Sequence, residues 1–476
     1  MSGFRRTPPT AERSSWYSRR PLSIYLAEPF SSQSLASTLV DYTSRTSSTA
    51  ELLGYATSDE ASLYEHSRPP PSTPNLRTTT TQKLLLRSIV FLSSFTTHGL
   101  VLSFGQLLAQ DLDLRWGTPI WASALVGSLQ LSSLHASVPL ARVAAQSKWQ
   151  RTVHLSVGVT VALLTALQPR YSNIVKGILL QGVLQGLLVG MYSNTTLYMA
   201  LTMKYDHATA VCASLGAPIG GAIIPFVIAT VSGTAAFNRG FGLWLLLLAT
   251  ISSYALRKLA GTLPRAALKL KEPTGYFDAT AFRWPQLLCM VGLCLAQLAL
   301  YIPPLLLPFC SKAESGFTDS QTGALLTTFW LLNASAKLVT ARGKFDRHDA
   351  RRWIVVFSMA YSVISIGWCF VRSTKGLIAI AAASGWISGC WLGTYTSAIV
   401  ELLGPESAAA SQVLLNILAA MVTLIGLPSA AALMDVGRSS QVGPAAFTAS
   451  CFGLAGLLFW LSGRGRMVIY ESIGVV

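Results

Sequence analysis

The sequence predicts an all-α integral membrane protein with twelve transmembrane helices in two pseudo-symmetric six-helix bundles. Twelve apolar stretches follow one another between about Leu84 and Leu461, in two sets of six. A hydrocarbon core about 30 Å thick needs about 20 apolar residues per helix, and each stretch is long enough to cross it. Only 12% of the residues are charged, against about 25% in soluble domains. A soluble globular class is therefore excluded.

Composition and hydropathy divide the chain into five parts. The first 83 residues contain 16 Ser, 12 Thr and 8 Pro. Because such a segment buries too little apolar surface to offset the entropy of ordering, we predict a disordered tail. The predicted division is a tail at 1–83, an N-terminal bundle at 84–257, a linker at 258–284, a C-terminal bundle at 285–463 and a C-terminus at 464–476. We interpret the tail as cytoplasmic, and its Ser and Thr residues leave open whether it is regulatory.

The apolar stretches set the predicted spans. They are 86–109, 118–140, 150–168, 174–198, 207–231, 239–257, 285–308, 320–341, 353–372, 375–400, 410–434 and 444–462.

Lys and Arg residues are distributed unevenly between the two sets of loops. With the tail on the cytoplasmic side, 27 of the 36 lie on that side and 8 on the other, and Lys337 alone falls well inside a span. Cytoplasmic loops of membrane proteins carry such an excess. Both termini are therefore predicted to be cytoplasmic, which requires an even number of spans. The net charge of +16 follows from this topology, so we do not expect a nucleic-acid partner.

Two patterns recur about 200 residues apart. Gly216-Ala217-Pro218 in span five corresponds to Gly426-Leu427-Pro428 in span eleven, and a basic turn follows both span two and span eight. Internal repetition of a six-helix unit is typical of secondary transporters, in which the substrate site lies between the halves near the midplane.

At these residues the chain resembles the major facilitator superfamily and, within it, the monocarboxylate porter family of fungal type. The resemblance covers about residues 86–462. The segments that carry it are Ser103–Gly105 with Val126–Gln130, Gly182–Gly190 with Leu215–Gly221, Leu332–Lys337 with Asp346-Arg347, and Gly385–Gly393 with Gly426–Pro428.

The resemblance implies that Lys337 binds a carboxylate. Animal members of the family pair an Asp with an Arg four residues later in helix eight, whereas this chain has Asn333 and Lys337 there. The acidic partner is gone and a cation is kept. A charged residue inside a span usually faces a cavity and marks a substrate path, although Lys337 could instead extend to the headgroups. Asn333, one turn away on the same face, could bind substrate or hold two helices together.

Three further side chains are candidates for the substrate site. His98 titrates near neutral pH and could shuttle protons, or it could be a neutral imidazole bonded to a helix, as could His135 and His154. Tyr301 and Trp330 could line a cavity for an organic solute, although most intramembrane aromatic residues face lipid.

Small residues and a basic loop predict the moving parts. Glycines let helices approach closely, and proline removes one backbone hydrogen bond, so both favour a hinge or a tight contact. The residues are Gly216, Pro218, Gly220, Gly426 and Pro428. The loop that contains Gly343, Asp346 and Arg347 resembles the superfamily's cytoplasmic gating motif, and positive-inside bias is the alternative explanation.

The predicted function is transport of a small organic solute by alternating access, and the resemblance suggests a monocarboxylate-like anion. An exporter of a secondary metabolite or drug-like compound and a non-transporting sensor are the alternatives. We find no Asp or Glu deep in any span, which leaves proton coupling open, and no pattern for an enzyme active site, a metal or a cofactor. The lipid bilayer is the remaining partner. The plasma membrane is our first expectation and the vacuolar membrane our second.

Overall fold

The computed structural model describes the helical part of the chain. It covers residues 80–112, 118–168, 173–202, 207–231, 234–261, 284–341, 350–403, 405–436 and 441–472. The predicted tail and linker fall almost wholly outside these residues, as do Gly343, Asp346 and Arg347. The division into five parts therefore stays a prediction.

Six helical spans form the N-terminal half. Three of them are composite: α1 turns at Ser103, α2 turns at Ser137, and α4 contains a π-helical stretch. The bounds are Thr80–Leu102, Phe104–Leu107 and the π-turn Leu108–Leu112 for α1, Ile120–Ala136 and Val138–Gln146 for α2, Gln150–Leu167 for α3, Ile174–Lys176, Gly177–Gln185 and Gly186–Thr202 for α4, His207–Thr230 for α5 and Thr234–Gly261 for α6.

Six more form the C-terminal half, of which only α7 is composite. The bounds are Trp284–Leu300 and Ile302–Ser315 for α7, Asp319–Ala341 for α8, Ala350–Phe370 for α9, Thr374–Leu403 for α10, Pro405–Val436 for α11 and Val442–Ser472 for α12.

Ten helices within the described residues are long and apolar enough to cross a bilayer. The other two are α2 and α3. In α2 the turn at Ser137 limits the first segment to 17 residues, and α3 opens with the polar sequence Gln150-Arg151-Thr152. Both lie between spans that qualify, in the order that the sequence predicts.

Proline explains two of the helix breaks. Pro139 in α2, and Pro303 with Pro304 in α7, lie in the first turn after a break, where a missing N–H is tolerated. At Ser137 the side-chain Oγ donates to the Leu134 carbonyl at 2.6 Å and so satisfies an acceptor at the end of the preceding segment. By contrast, α5 and α11 continue without a break through Pro218 and Pro428.

Glycines spaced four residues apart let one helix lie directly against another in each half. In α4, Gly182, Gly186 and Gly190 face α2, and in α10 a second triplet, Gly385, Gly389 and Gly393, faces α8. A Cβ on Gly186 would lie 2.6 Å from the Gln130 carbonyl oxygen. Such small-residue repeats let backbones approach in membrane proteins, where dispersion contacts replace the hydrophobic effect as the driving force.

The remaining contacts complete two equivalent bundles. In the N-terminal half α5 packs on α1 and α3 on α6, and in the C-terminal half α11 packs on α7 and α9 on α12. Across the halves α2 packs against α11 and α5 against α8. The predicted fold class of two pseudo-symmetric six-helix bundles is confirmed.

Replacing Gly389 by alanine is expected to destabilise the protein. The new Cβ would overlap the Asn333 carbonyl oxygen and lie 2.8 Å from the Ala336 Cβ, so α8 and α10 must separate. We expect a cost of about 1–3 kcal/mol, seen as a lower thermal unfolding midpoint in detergent. Gly240→Ala is the matched control because a Cβ there meets open space. An equal fall in both variants would contradict close packing at Gly389.

Candidate functional site

Among the described residues the two halves meet mainly at three helix pairs, α1–α7, α2–α11 and α5–α8, and we call these contacts the seams. We call the end of the bundle at which α1 begins the near end, and the opposite end the far end. At the α1–α7 seam a Cβ on Gly105 would lie 2.5 Å from the Pro304 carbonyl oxygen. Beside it the Gln106 Nε2 donates to the main-chain oxygen of Asp319 at 3.1 Å.

The other two seams use hydroxyl groups that donate to main-chain carbonyls. At the α2–α11 seam the Ser128 Oγ lies 2.5 Å from the Thr423 oxygen and 2.7 Å from the Leu424 oxygen. At the α5–α8 seam the Thr327 Oγ1 donates to the Ala222 oxygen at 2.7 Å. All three seams lie toward the far end of their helices, and we infer that they hold that end closed.

Polar side chains lie seven residues from the seam residues, toward the near end, on the helices that form the seams. In an unbroken helix, seven residues are about two turns, or about 10 Å, and return to the same face. This applies to α2, α8 and α11, whereas in α1 and α7 a helix break lies between the two residues that are compared. Counting from Gly105 and Pro304 gives His98 and Gln297, and counting from Ser128 and Thr423 gives His135 and Asn416. At the α5–α8 seam Lys337 lies ten residues beyond Thr327 and seven beyond Trp330, whose ring lies against Gly221 of α5. We call these five residues the polar ring.

Lys337 is buried, with 5% of its surface exposed. Its charge has a weak electrostatic effect on His98 of the opposite half, the smallest of the effects that act on that imidazole. Side chains on a helix lean toward its N-terminus, and α8 begins at the far end. The Cα–Cβ bond of Lys337 therefore tilts away from the near end.

The Asn333 side chain joins α8 to α10. Its Nδ2 donates to the Ser388 Oγ at 2.9 Å, and that hydroxyl donates in turn to the Gly385 carbonyl at 2.9 Å. Because the single Ser388 proton is used, the hydroxyl must accept from Asn333, and this fixes the orientation of the amide. The Asn333 Oδ1 has no hydrogen-bond partner among the described residues.

Trp330 and Tyr301 lie beside two of the seams. Trp330 packs edge-on against Phe329, and a Cβ on Gly221 of the opposite half would lie 2.9 Å from its ring. Its indole Nε1 has no hydrogen-bond partner within the described part of the chain. Tyr301 is buried at the break in α7, one turn from Gln297.

His98 is fully buried and held by hydroxyl groups. Its Nδ1 lies 3.2 Å from the Thr97 Oγ1 and 3.3 Å from the Ser193 Oγ of α4, and the ring also bonds to the main chain of Ser94. Beyond Lys337, it interacts electrostatically with His135 of α2. The structure thus brings His98 to the interface between the halves.

His154 has a different place. Its ring nitrogens lie 2.8 Å from the Ser253 Oγ of α6 and 2.8 Å from the Thr196 Oγ1 of α4, and it stacks on Tyr192. The Thr196 hydroxyl donates to the Tyr192 carbonyl, so it accepts from His154. This imidazole connects α3, α4 and α6 inside the N-terminal half.

The glycines predicted to act in conformational change are close helix contacts. Gly216 and Gly220 of α5 lie against the Phe91 and Phe95 carbonyls of α1, and Gly426 of α11 lies against the Leu298 carbonyl of α7. The gating loop with Gly343, Asp346 and Arg347 lies outside the described residues.

Sequence reasoning missed Gln297 and Asn416 and gave His135 little weight. An isolated amide in an apolar span is a usable signal, because burying an amide without a partner is costly. The acidic residues whose side chains the structure describes are Glu314 and Asp319, both near the far end and paired with Arg372 and Lys312 respectively. The polar ring itself contains three basic groups and two amides.

Solved transporter structures share this architecture. A bacterial homologue of the human lysosomal transporter Spinster, in an inward-facing and occupied conformation, aligns with a TM-score of 0.59 at 12% identity over 81% of this chain and 98% of that chain. A mutant of the nucleoside transporter NupG gives 0.57 at 13% identity over 80% and 99%. The human organic anion transporter MFSD10 gives 0.51 at 15% identity over 80% and 100%.

The chain has the major facilitator fold. At these identities the likeness establishes the fold alone. No protein-family model matches the sequence, and no curated protein matches it either.

Enlarging Gly221 is expected to open the α5–α8 seam. A leucine there would collide with the Trp330 ring and favour states in which the far end is open. The thiol from Asn416→Cys, two turns below a seam, should then react faster with a membrane-impermeant maleimide added at the far side. Labelling is measured against the background of the native cysteines. The same leucine at Gly240, which faces open space, should leave the rate unchanged. No acceleration by Gly221→Leu would show that this seam does not hold the far end closed.

Proposed function

We propose that this protein is a membrane carrier that moves a small organic anion by alternating access, with Lys337 as the anion-binding group. The observation that carries the proposal is a buried lysine in a ring of polar residues where the two halves meet. A binding role, rather than an enzymatic one, is what this ring supports.

The energetics favour an anionic ligand. An ammonium inside the bilayer is costly unless it is paired or faces a water-filled cavity. The described acidic side chains lie near the far end and are paired there, so a substrate carboxylate is well suited to neutralise Lys337. A charge-assisted hydrogen bond of this kind contributes about 1.5–3 kcal/mol.

His98 belongs to the same proposed site from the opposite half. Because it interacts with Lys337 across the interface, an anion between them would contact both bundles. Trp330 and Tyr301 would then supply apolar surface beside the anion. Such a ligand couples its own binding to the relative position of the halves, as alternating access requires.

The closed far end defines the proposed direction of access in this state. If the near end is cytoplasmic, as the Lys and Arg distribution indicates, the site would exchange substrate with the cytoplasm. The resemblance to the monocarboxylate porter family supports a monocarboxylate-like substrate. The plasma membrane stays the first expectation for its location, with the vacuolar membrane second. The imidazoles of His98 and His135 would be the groups available for proton coupling.

Uptake into proteoliposomes tests the proposal. We expect counterflow of labelled monocarboxylates by the wild-type protein, and about 10- to 100-fold weaker anion binding in Lys337→Ala, because the loss of a charge-assisted bond has that value. Lys337→Arg keeps the charge and should retain part of the activity. Repeating the assay with a pH gradient measures proton coupling.

The control is an exposed lysine outside the site. Lys375 lies exposed at the start of α10, and Lys375→Ala should transport as the wild type does. Undiminished counterflow in folded Lys337→Ala would remove Lys337 from the site. Absence of any carboxylate flux in the wild type would refute the anion carrier.

A further inference from the structure

The polar ring and the residues beside it present hydrogen-bonding atoms that no described residue satisfies. The atoms are the Gln297 Oε1 of α7, the Trp330 Nε1 and Asn333 Oδ1 of α8, and the Asn416 Nδ2 of α11. Their side chains are almost fully buried, with 7% of Gln297, 3% of Trp330 and 2% of Asn416 exposed. All four belong to the C-terminal half.

These atoms cluster by position on their helices. Asn416 lies two turns from Thr423 of the α2–α11 seam, and Gln297 lies seven residues before Pro304, across the break in α7. Asn333 lies one turn from Trp330 and from Lys337 on α8. From this spacing we infer that the four atoms lie at about the depth of Lys337 in the bundle.

Unsatisfied groups of this kind require an explanation. Leaving a buried donor or acceptor unpaired costs about 1–3 kcal/mol, and other buried amides of the described residues, among them Asn238 of α6, also have an oxygen without a partner. Within a cavity, water satisfies such groups when the site is empty, and a ligand that displaces this water must replace its bonds or lose affinity.

The chemistry of the four atoms selects the ligand. Two are acceptors and two are donors, and a hydroxyl group can serve either kind because it both donates and accepts. If an amide of Gln297 or Asn416 rotates, its donor and acceptor exchange places and a hydroxyl still fits. An aliphatic chain would leave all four atoms unpaired.

We propose that the transported anion is a polyhydroxylated carboxylate. Its carboxylate would bind Lys337, and its hydroxyl groups would bond to Asn333, Trp330, Gln297 and Asn416. This inference rests on the proposed anion carrier and narrows its substrate class.

Two pairs of acids with matched carbon chains test it. Propionate and glycerate have three carbons, hexanoate and gluconate have six, and within each pair only the second acid carries hydroxyl groups beyond its carboxylate. Each acid is tested in proteoliposomes as a labelled substrate and as a competitor. We expect the hydroxylated acid of at least one pair to compete at least about tenfold better than its partner, because one unreplaced bond of about 1.4 kcal/mol has that effect.

Amide substitutions test whether the preference for hydroxylated acids depends on these side chains. Asn416→Leu and Gln297→Leu nearly conserve volume and remove the hydrogen-bonding groups, so each should reduce the preference about tenfold. Asn238→Leu is the matched control, because Asn238 is a buried amide of α6 and lies away from the seams. Size-exclusion profiles and thermal unfolding establish that each variant is folded. Where a leucine variant does not fold, Asn416→Ser or Gln297→Ser, which shorten the side chain, takes its place.

The outcomes separate the two proposals. If the unsubstituted acids compete as well as or better than their hydroxylated partners in both pairs, the polyhydroxylated substrate is refuted and the anion carrier stands. A preference that persists unchanged in both folded amide variants also refutes it. If neither the four acids nor any other labelled monocarboxylate is transported, the anion carrier itself is refuted.

Discussion

Close contact between helix backbones is the constraint on which the rest of this structure depends. A bilayer offers no solvent for backbone polar groups, so the chain must form helices, and helices there gain little from the hydrophobic effect when they associate. The glycine triplets of α4 and α10 satisfy this constraint in the same way, one in each half. They fix α4 to α2 and α10 to α8, so Asn333, Lys337 and His135 occupy defined positions on tightly packed helix pairs.

The contacts between the halves add side-chain hydrogen bonds to close helix packing. The α2–α11 and α5–α8 pairs that join the halves pack as extensively as pairs inside one half, and in each a side-chain hydroxyl donates to a main-chain carbonyl of the opposite half. The polar ring lies on the near-end side of these seams, and its residues come from both halves. A ligand bound there would contact both halves, so its contacts would change when one half moves relative to the other.

The fold could be predicted from the sequence because apolar length and Lys/Arg bias are local signals that tertiary packing does not alter. Lys337 could be identified for a similar reason, as a lone charge in an apolar span. Gln297 and Asn416 could not, because an uncharged amide becomes informative only when the helices opposite it are known. The break at Tyr301 follows from Pro303 and Pro304, whereas Pro218 and Pro428 lie in unbroken helices. Proline in a transmembrane helix therefore did not by itself indicate where the chain bends, since neighbouring helices can compensate for the lost bond.

The chemistry of the seams bears on how the far end opens. Ser128, Thr327 and Gln106 all donate to main-chain carbonyl oxygens, and the two ion pairs described at that end, Lys312–Asp319 and Glu314–Arg372, each lie within the C-terminal half. Among the described residues, the junction is thus held by neutral dipoles and van der Waals contact. Screening by dissolved salt acts on charges far more than on such contacts. The rate at which the far gate opens should accordingly be nearly independent of ionic strength.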